Sequence, residues 1–131
     1  LQAALQEMVE EIMRETSLDV QLVACEPSLR LKADQAAHLV RIAREALLNA
    51  ARHGQASHAT LTCQINGTQG ELSVQDNGSG FDPERKPEDG RQHLGLAIMK
   101  ARAARIGGHL NIQSTPGQGA AIHVIWTLEM P

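Results

Sequence analysis

Apolar residues recur along this chain with two different periods, and the changes of period divide it into elements. Over residues 1–16, Leu1, Leu5, Met8, Val9, Ile12 and Met13 fall on one side of a 3.6-residue repeat, which predicts a helix. Residues 19–24 alternate weakly and form a candidate strand, and Pro27 then marks a turn. Asp34 is placed to cap a long helix reaching residue 53, with Gly54 just past its end. Residues 57–65 return to period two, with Ala59, Leu61, Cys63 and Ile65 on one face. Asn66-Gly67 starts a turn, and residues 70–75 form the returning strand. Residues 94–106 are helical again and stop at Gly107-Gly108. Residues 109–114 and 120–128 then flank a Pro116-Gly117-Gln118-Gly119 turn as a final hairpin.

The predicted order is α, β, α, β, β, loop, α, β, β. Strands joined by hairpins predict a mixed, largely antiparallel sheet, and three helices would cover one face of it. The expected fold is therefore an α/β (α+β) two-layer sandwich spanning residues 1–131, without the strict alternation of a doubly wound sheet. Residues 77–92 break the pattern: Gly78, Gly80, Pro83, Pro87 and Gly90 stand among charges, with Phe81 the one large apolar residue. Loops this long in a compact domain are functional or disordered.

Composition narrows the class. A chain of 131 residues with 42% apolar and 21% charged residues is an ordinary globular domain. Its net charge is −3, its twelve Lys and Arg are scattered, and it has one Phe, one Trp and no Tyr, which argues against nucleic-acid binding. No apolar run approaches the roughly 18 residues of a membrane span. Glu7, Glu10 and Glu11 interrupt any leader, and the opening at Leu1 without Met is expected of an excised segment. Cys25 and Cys63 stand isolated, with no CxxC spacing, which points to a reducing compartment and no metal site.

Three polar features remain. On the long helix, at about 100° per residue and with Glu45 at zero, Asn49 lies near +40°, Arg52 near −20°, Arg41 near −40°, His38 near +20° and His53 near +80°. Leu39, Ala43, Ala46, Leu47 and Ala50 fall mostly on the other half. The plain reading is a solvated face with an Arg41–Glu45 pair. Asn is a mediocre helix former, however, and Asn49 in mid-helix is better explained by a ligand. An acid and an amide one turn apart suit a hydrated Mg²⁺, which takes oxygen ligands. The second feature is Asp76-Asn77-Gly78-Ser79-Gly80-Phe81-Asp82, directly after a strand. It has neither calcium-loop spacing nor a P-loop lysine; a plain turn is the alternative. The third is His93-Leu94-Gly95-Leu96-Ala97-Ile98-Met99 at a helix start, where phosphate is favoured, although Leu96, Ile98 and Met99 also read as core.

In this order the three features resemble the GHKL ATPases (gyrase, Hsp90, histidine kinase, MutL). Arg44 through His53 looks like the N box, Asp76 through Phe81 like the first glycine box, and His93 through Ala103 like the second. Gly107-Gly108-His109-Leu110 and Ser114 through Gly119 match the closing strands. The pattern is most similar to sensor histidine kinases partnered with NarL-type regulators, nitrate/nitrite sensors among them. The resemblance implies ATP and Mg²⁺ as cofactors. Asp76 would accept from the adenine amine, Asn49 would coordinate Mg²⁺, and Glu45 would orient water or act as a base, touching the metal partly through water. Arg52 would join Glu45 and Asn49 as catalytic residues. Gly78 and Gly80 would admit the nucleotide, and Gly95 and Leu96 would lie along its phosphates. Arg52, His53, Phe81, His93 and Met99 complete the implied nucleotide set, and residues 82–92 would be the ATP lid. Arg52 replaces the usual Lys, His93 a frequent Gly, and Ala120 a common Thr. The implied partners are a dimerisation segment carrying the phosphoacceptor histidine and a NarL-type response regulator, with no nucleic acid. The chain itself would be a monomer and the cytoplasmic domain of a homodimeric inner-membrane sensor. A stand-alone anti-sigma-type serine kinase and a nucleotide-binding pseudo-enzyme are the alternatives.

Overall fold

The computed structural model describes residues 1–25, 31–80 and 90–128, so the turn expected at Pro27 lies outside the described residues. Helix α1 (Gln2–Glu15) buries Leu5, Met8, Val9 and Ile12. It stops at Thr16, whose hydroxyl donates to the Ile12 carbonyl at 2.8 Å and accepts from the Leu18 N–H at 3.2 Å. Strand β1 (Asp19–Cys25) follows, then α2 (Ala33–Arg52), β2 (His58–Asn66), β3 (Gln69–Asp76), α3 (Gly90–Arg105), β4 (Gly108–Ser114) and β5 (Ala120–Thr127).

Two helix starts differ from the sequence reading. Lys32, not Asp34, is the N-cap of α2. Gln35 Oε1 accepts from the Lys32 backbone N–H at 3.1 Å. A lysine side chain has no acceptor, so only this half of a capping box operates. Asp34 lies in the first turn, where its charge suits the helix dipole. Helix α3 begins at Gly90 rather than residue 94. Gly90, Arg91 and Gln92 carry no apolar period, so hydrophobic patterning is blind to that turn. At the far end of α2, Gln55 rather than Gly54 takes the left-handed conformation, with φ 51°.

The sheet order is β1-β2-β3-β5-β4. β1 runs parallel to β2, and the other neighbours are antiparallel, as expected of a mixed sheet. Alternation sends Ala59, Leu61 and Cys63 of β2, Leu72 and Val74 of β3, and Ile122, Val124 and Trp126 of β5 into the core. The three helices meet them there with Leu39, Ile42, Leu47 and Met99, among others. Arg44 of α2 reaches Glu11 of α1 at 3.5 Å, which ties the two helices at their rim. Gly70 pairs with Trp126 across β3 and β5, and a methyl group at residue 70 would run into the indole. Cys25 and Cys63, isolated in the sequence, are register partners across β1 and β2. Among the described residues, no helix is long and apolar enough to cross a membrane.

Candidate functional site

The polar stripe of α2 is real but is not simply solvated. Leu39, Ile42, Ala43, Ala46, Leu47 and Ala50 face the core; opposite them His38, Glu45, Asn49 and His53 are half-buried, and Arg41 and Arg52 are exposed. Helix α3 lies along part of this stripe. The Arg102 guanidinium sits 3.2 Å from His38 Nδ1, so His38 serves the α2–α3 contact. Further along, Gly95 packs on Glu45: a methyl group at residue 95 would overlap Glu45 Oε1. The ion pairs among the described residues do not include Arg41 with Glu45.

Past the C-terminal half of α2 lies a pocket. Its walls are Ala46, Asn49 and Ala50 of α2, Gly54 just past that helix, Asp76 at the end of β3 with Gly80 in the loop beyond it, and Ala120 and Ile122 of β5. Counting its open mouth, the pocket holds about 320 Å³ of empty space. It is mostly apolar, with one carboxylate and one amide, a composition that suits a flat heteroaromatic ring with one polar edge.

Asp76 is the charged group in it. Burial pushes its carboxyl above the ordinary carboxylate value, and the backbone N–H groups of Gly78 and Ala120 partly offset this. The Gly78 N–H donates to Asp76 Oδ1 at 2.8 Å. The next residue fixes the loop. Asn77 Oδ1 accepts from the Ser57 and His58 N–H groups at 3.0 and 2.9 Å, and its amide donates to Ser57 Oγ at 2.9 Å.

The glycines of this region have a packing reason of their own. A Cβ at Gly78 would lie 2.5 Å from the Gly54 carbonyl oxygen. Gly80, at φ 66°, faces the carbonyls of Thr115 and Gly119, and Gly119, at φ 77°, sits on the Asp76 backbone. The Ser79 N–H donates to the Gly54 carbonyl at 2.7 Å, and the Gly117 N–H donates to that of Ser79. Three segments distant in sequence thus meet backbone to backbone, which side chains would prevent.

The structure brings Asn49, Asp76 and Gly80 to one pocket and leaves Glu45 one helical turn away along α2. Arg52 and His53 close that helix. Gly95 is not among the free N–H groups of a helix start. It is the sixth residue of α3, past the four that lack helical partners. Leu96 and Met99 are buried in the core, so they back the site rather than present a surface to it. Phe81 and residues 82–89 of the expected lid lie outside the described residues, and residues 90–92 are the first turn of α3. His93 is in α3. Sequence reasoning missed Ala46, Ala50, Gly54 and Ile122 as pocket walls. The i, i+4 spacing of Ala46 and Ala50 reads only as the core face of α2 and gives no signal of a pocket.

Residues 34–130 match the family described as "Histidine kinase-, DNA gyrase B-, and HSP90-like ATPase". The chain belongs to this ATPase family. The Escherichia coli (strain K12) "Nitrate/nitrite sensor protein NarQ" is 36% identical over 126 residues, 95% of this chain and 22% of that protein. The chain therefore spans about a fifth of the length of this relative. Among solved structures, the histidine kinase domain of the blue-light activated histidine kinase from Erythrobacter litoralis superposes with a TM-score of 0.78 at 20% identity, over 95% of this chain and 59% of that one. Full-length ShkA in complex with AMPPNP superposes with a TM-score of 0.77 at 24% identity, over 98% of this chain and 30% of that one. At these identities the two structures establish the fold of the ATPase domain.

Proposed function

We propose that this ATPase domain binds Mg·ATP in the pocket between α2, β3 and β5. It would pass the γ-phosphoryl group to a histidine on a separate dimerisation segment, as the catalytic part of a two-component sensor histidine kinase. The observation that carries this reading is the placement of Asp76. Its half-buried carboxylate faces an apolar slot beside Asn49, and the polar stripe leads from there to Glu45. The adenine amine would donate to Asp76, and the phosphates would run along α2. Four residues of helix, about 6 Å, separate Asn49 from Glu45.

Phosphoryl transfer needs positioning and charge neutralisation more than covalent help from the protein. Two oxygen-bearing side chains one turn apart fit a largely hydrated Mg²⁺, and the described residues hold no cluster of three or more His, Cys, Asp or Glu suited to a tighter metal. Asn49 and, through water, Glu45 would hold that ion, whose charge would offset that of the phosphates. Glu45 would orient the attacking group, with its carboxylate braced against α3 at Gly95. The likeness to the nitrate/nitrite sensor protein NarQ supports nitrate or nitrite as the signal of the parent protein. The resemblance of the motifs adds a NarL-type regulator as partner and a membrane-anchored homodimer with this domain in the cytoplasm as further parts of the proposal. The AMPPNP in ShkA supports an adenine nucleotide as the ligand.

The test is paired. Asn49→Ala should weaken Mg·ATP binding and abolish most of its Mg²⁺ dependence in calorimetry. Glu45→Gln should hold affinity while phosphotransfer to the dimerisation segment falls by about 10²–10⁴. The product should be acid-labile phosphohistidine. Acid-stable phosphoserine would identify a serine kinase, and binding without transfer a pseudo-enzyme.

A further inference from the structure

We propose that Cys25 and Cys63 form a reversible intrachain disulfide, which makes the β1–β2 seam an oxidation site of this domain.

The geometry begins with the bulge in β1. Leu22 pairs with Leu61, but Ala24 pairs with Thr62, and Val23 is the extra residue between them. Val23 is 54% exposed, the most exposed large apolar side chain among the described residues. Without the bulge, Cys25 would stand opposite Gln64, whose side chain points away from the core. With it, Cys25 stands opposite Cys63. Adjacent strands lie about 4.8 Å apart, and register partners share a face. That is within the roughly 4.4–6.8 Å between Cα atoms that a disulfide bridges. The two thiols are near enough that Cys25 contributes to raising the Cys63 thiol.

The two thiols differ in access. Cys63 is fully buried, and Cys25 is only partly covered at the end of an edge strand. A low-molecular-weight disulfide, RSSR, therefore meets Cys25 first. The Cys25 thiolate attacks one sulfur, the S–S bond breaks, and RS⁻ leaves and takes up a proton. Cys63 then attacks the Cys25 sulfur of the mixed disulfide. The protein S–S bond forms, the second RS⁻ leaves, and it takes the proton that Cys63 gives up. Two protein thiols are oxidised by two electrons, and RSSR is reduced to two RSH. No reagent has to enter the core, because Cys25 carries the reaction to Cys63.

The second step is the slow one. Burial, with a further contribution from the neighbouring Cys25, pushes the Cys63 thiol up to about 12. Its thiolate fraction is small near neutral pH, so ring closure should speed up about tenfold per pH unit. In a reducing compartment the pair stays as thiols until the disulfide poise rises, which is how transient cytosolic disulfides act as sensors.

The experiment uses the folded 131-residue chain, excess oxidised glutathione, an acid quench, alkylation and peptide mapping by mass spectrometry. The expected product is a monomer with Cys25 linked to Cys63, reversed by dithiothreitol and formed faster as pH rises. Cys63→Ala should stop at the mixed disulfide on Cys25, and Cys25→Ser should take up no glutathione. Cys25→Ser alters a partly exposed position and carries the control if Cys63→Ala does not fold. A parent chain that keeps glutathione on Cys25 while Cys63 is alkylated only after unfolding would overturn the proposal. So would a product that links two chains.

Discussion

Asp76 holds its charge against its own burial. Two backbone N–H groups reach its carboxylate, yet burial still leaves the carboxyl above its ordinary value. The folded state therefore binds this proton more readily than the unfolded chain does. Stability falls as pH rises through the window between the two values, and the ionised form weakens the fold at neutral pH. Asp76→Asn keeps an acceptor for the Gly78 N–H and removes the charge. Its urea midpoint at neutral pH should exceed that of the parent, and the advantage should shrink as pH falls through the carboxylate range. The same variant should bind ATP about tenfold to a hundredfold more weakly by calorimetry, since a hydrogen bond to a charged group is lost. Residues of this kind were legible in the sequence because they violate their surroundings. Asp76 stands at the end of a strand just ahead of two glycines, and Asn49 and Glu45 interrupt a helix of alanine and leucine. Ala46, Ala50 and Ile122 were not, because a pocket wall and a core residue are the same apolar letter. The cysteine pair was hidden for another reason: its alignment depends on a one-residue bulge that no periodicity announces.

At the scale of elements, α2 and α3 meet where Gly95 packs on the Glu45 side chain. In a helix interior, Gly95→Ala should be worth up to about 1 kcal/mol of added stability from propensity alone. Here the new methyl group would meet the Glu45 carboxylate. The expectation is a loss of phosphotransfer with little change in ATP affinity. In a Glu45→Ala background, denaturation should then show the stabilising effect of the alanine restored. A stability gain from Gly95→Ala in the parent, with transfer intact, would show that the contact yields freely. Between β3 and β5, Gly70→Ala should cost about 1–3 kcal/mol in urea unfolding, because the indole of Trp126 has to move. Trp126 is the single tryptophan, so its fluorescence follows that change directly. Element types were readable from period and breaker residues. The helix starts were less so, because capping by Gln35 and the polar first turn of α3 leave no apolar signature.

For the whole molecule, two-layer architecture followed from the order of elements, since hairpins demand antiparallel neighbours and amphipathic helices demand a sheet face. Strand order did not. β5 pairs with both β3 and β4, and α3 intervenes between β3 and β4, so the third neighbour could not be read from sequence adjacency. The parallel pairing of β1 with β2 has a consequence in time. Asp19 lies opposite His58, and the whole of α2 falls between them, whereas β2–β3 and β4–β5 are closed by short turns. Chain entropy must be lost over that long loop before the parallel contact returns anything, and such non-local pairings are slow to form. The two hairpins and α2 should assemble first, and the amino-terminal strand should dock last. In pulse-labelled hydrogen exchange during refolding, β2 and β3 amides should gain protection before those of β1. If β1 amides were protected in the same phase, the amino-terminal segment would belong to the nucleus rather than close over it.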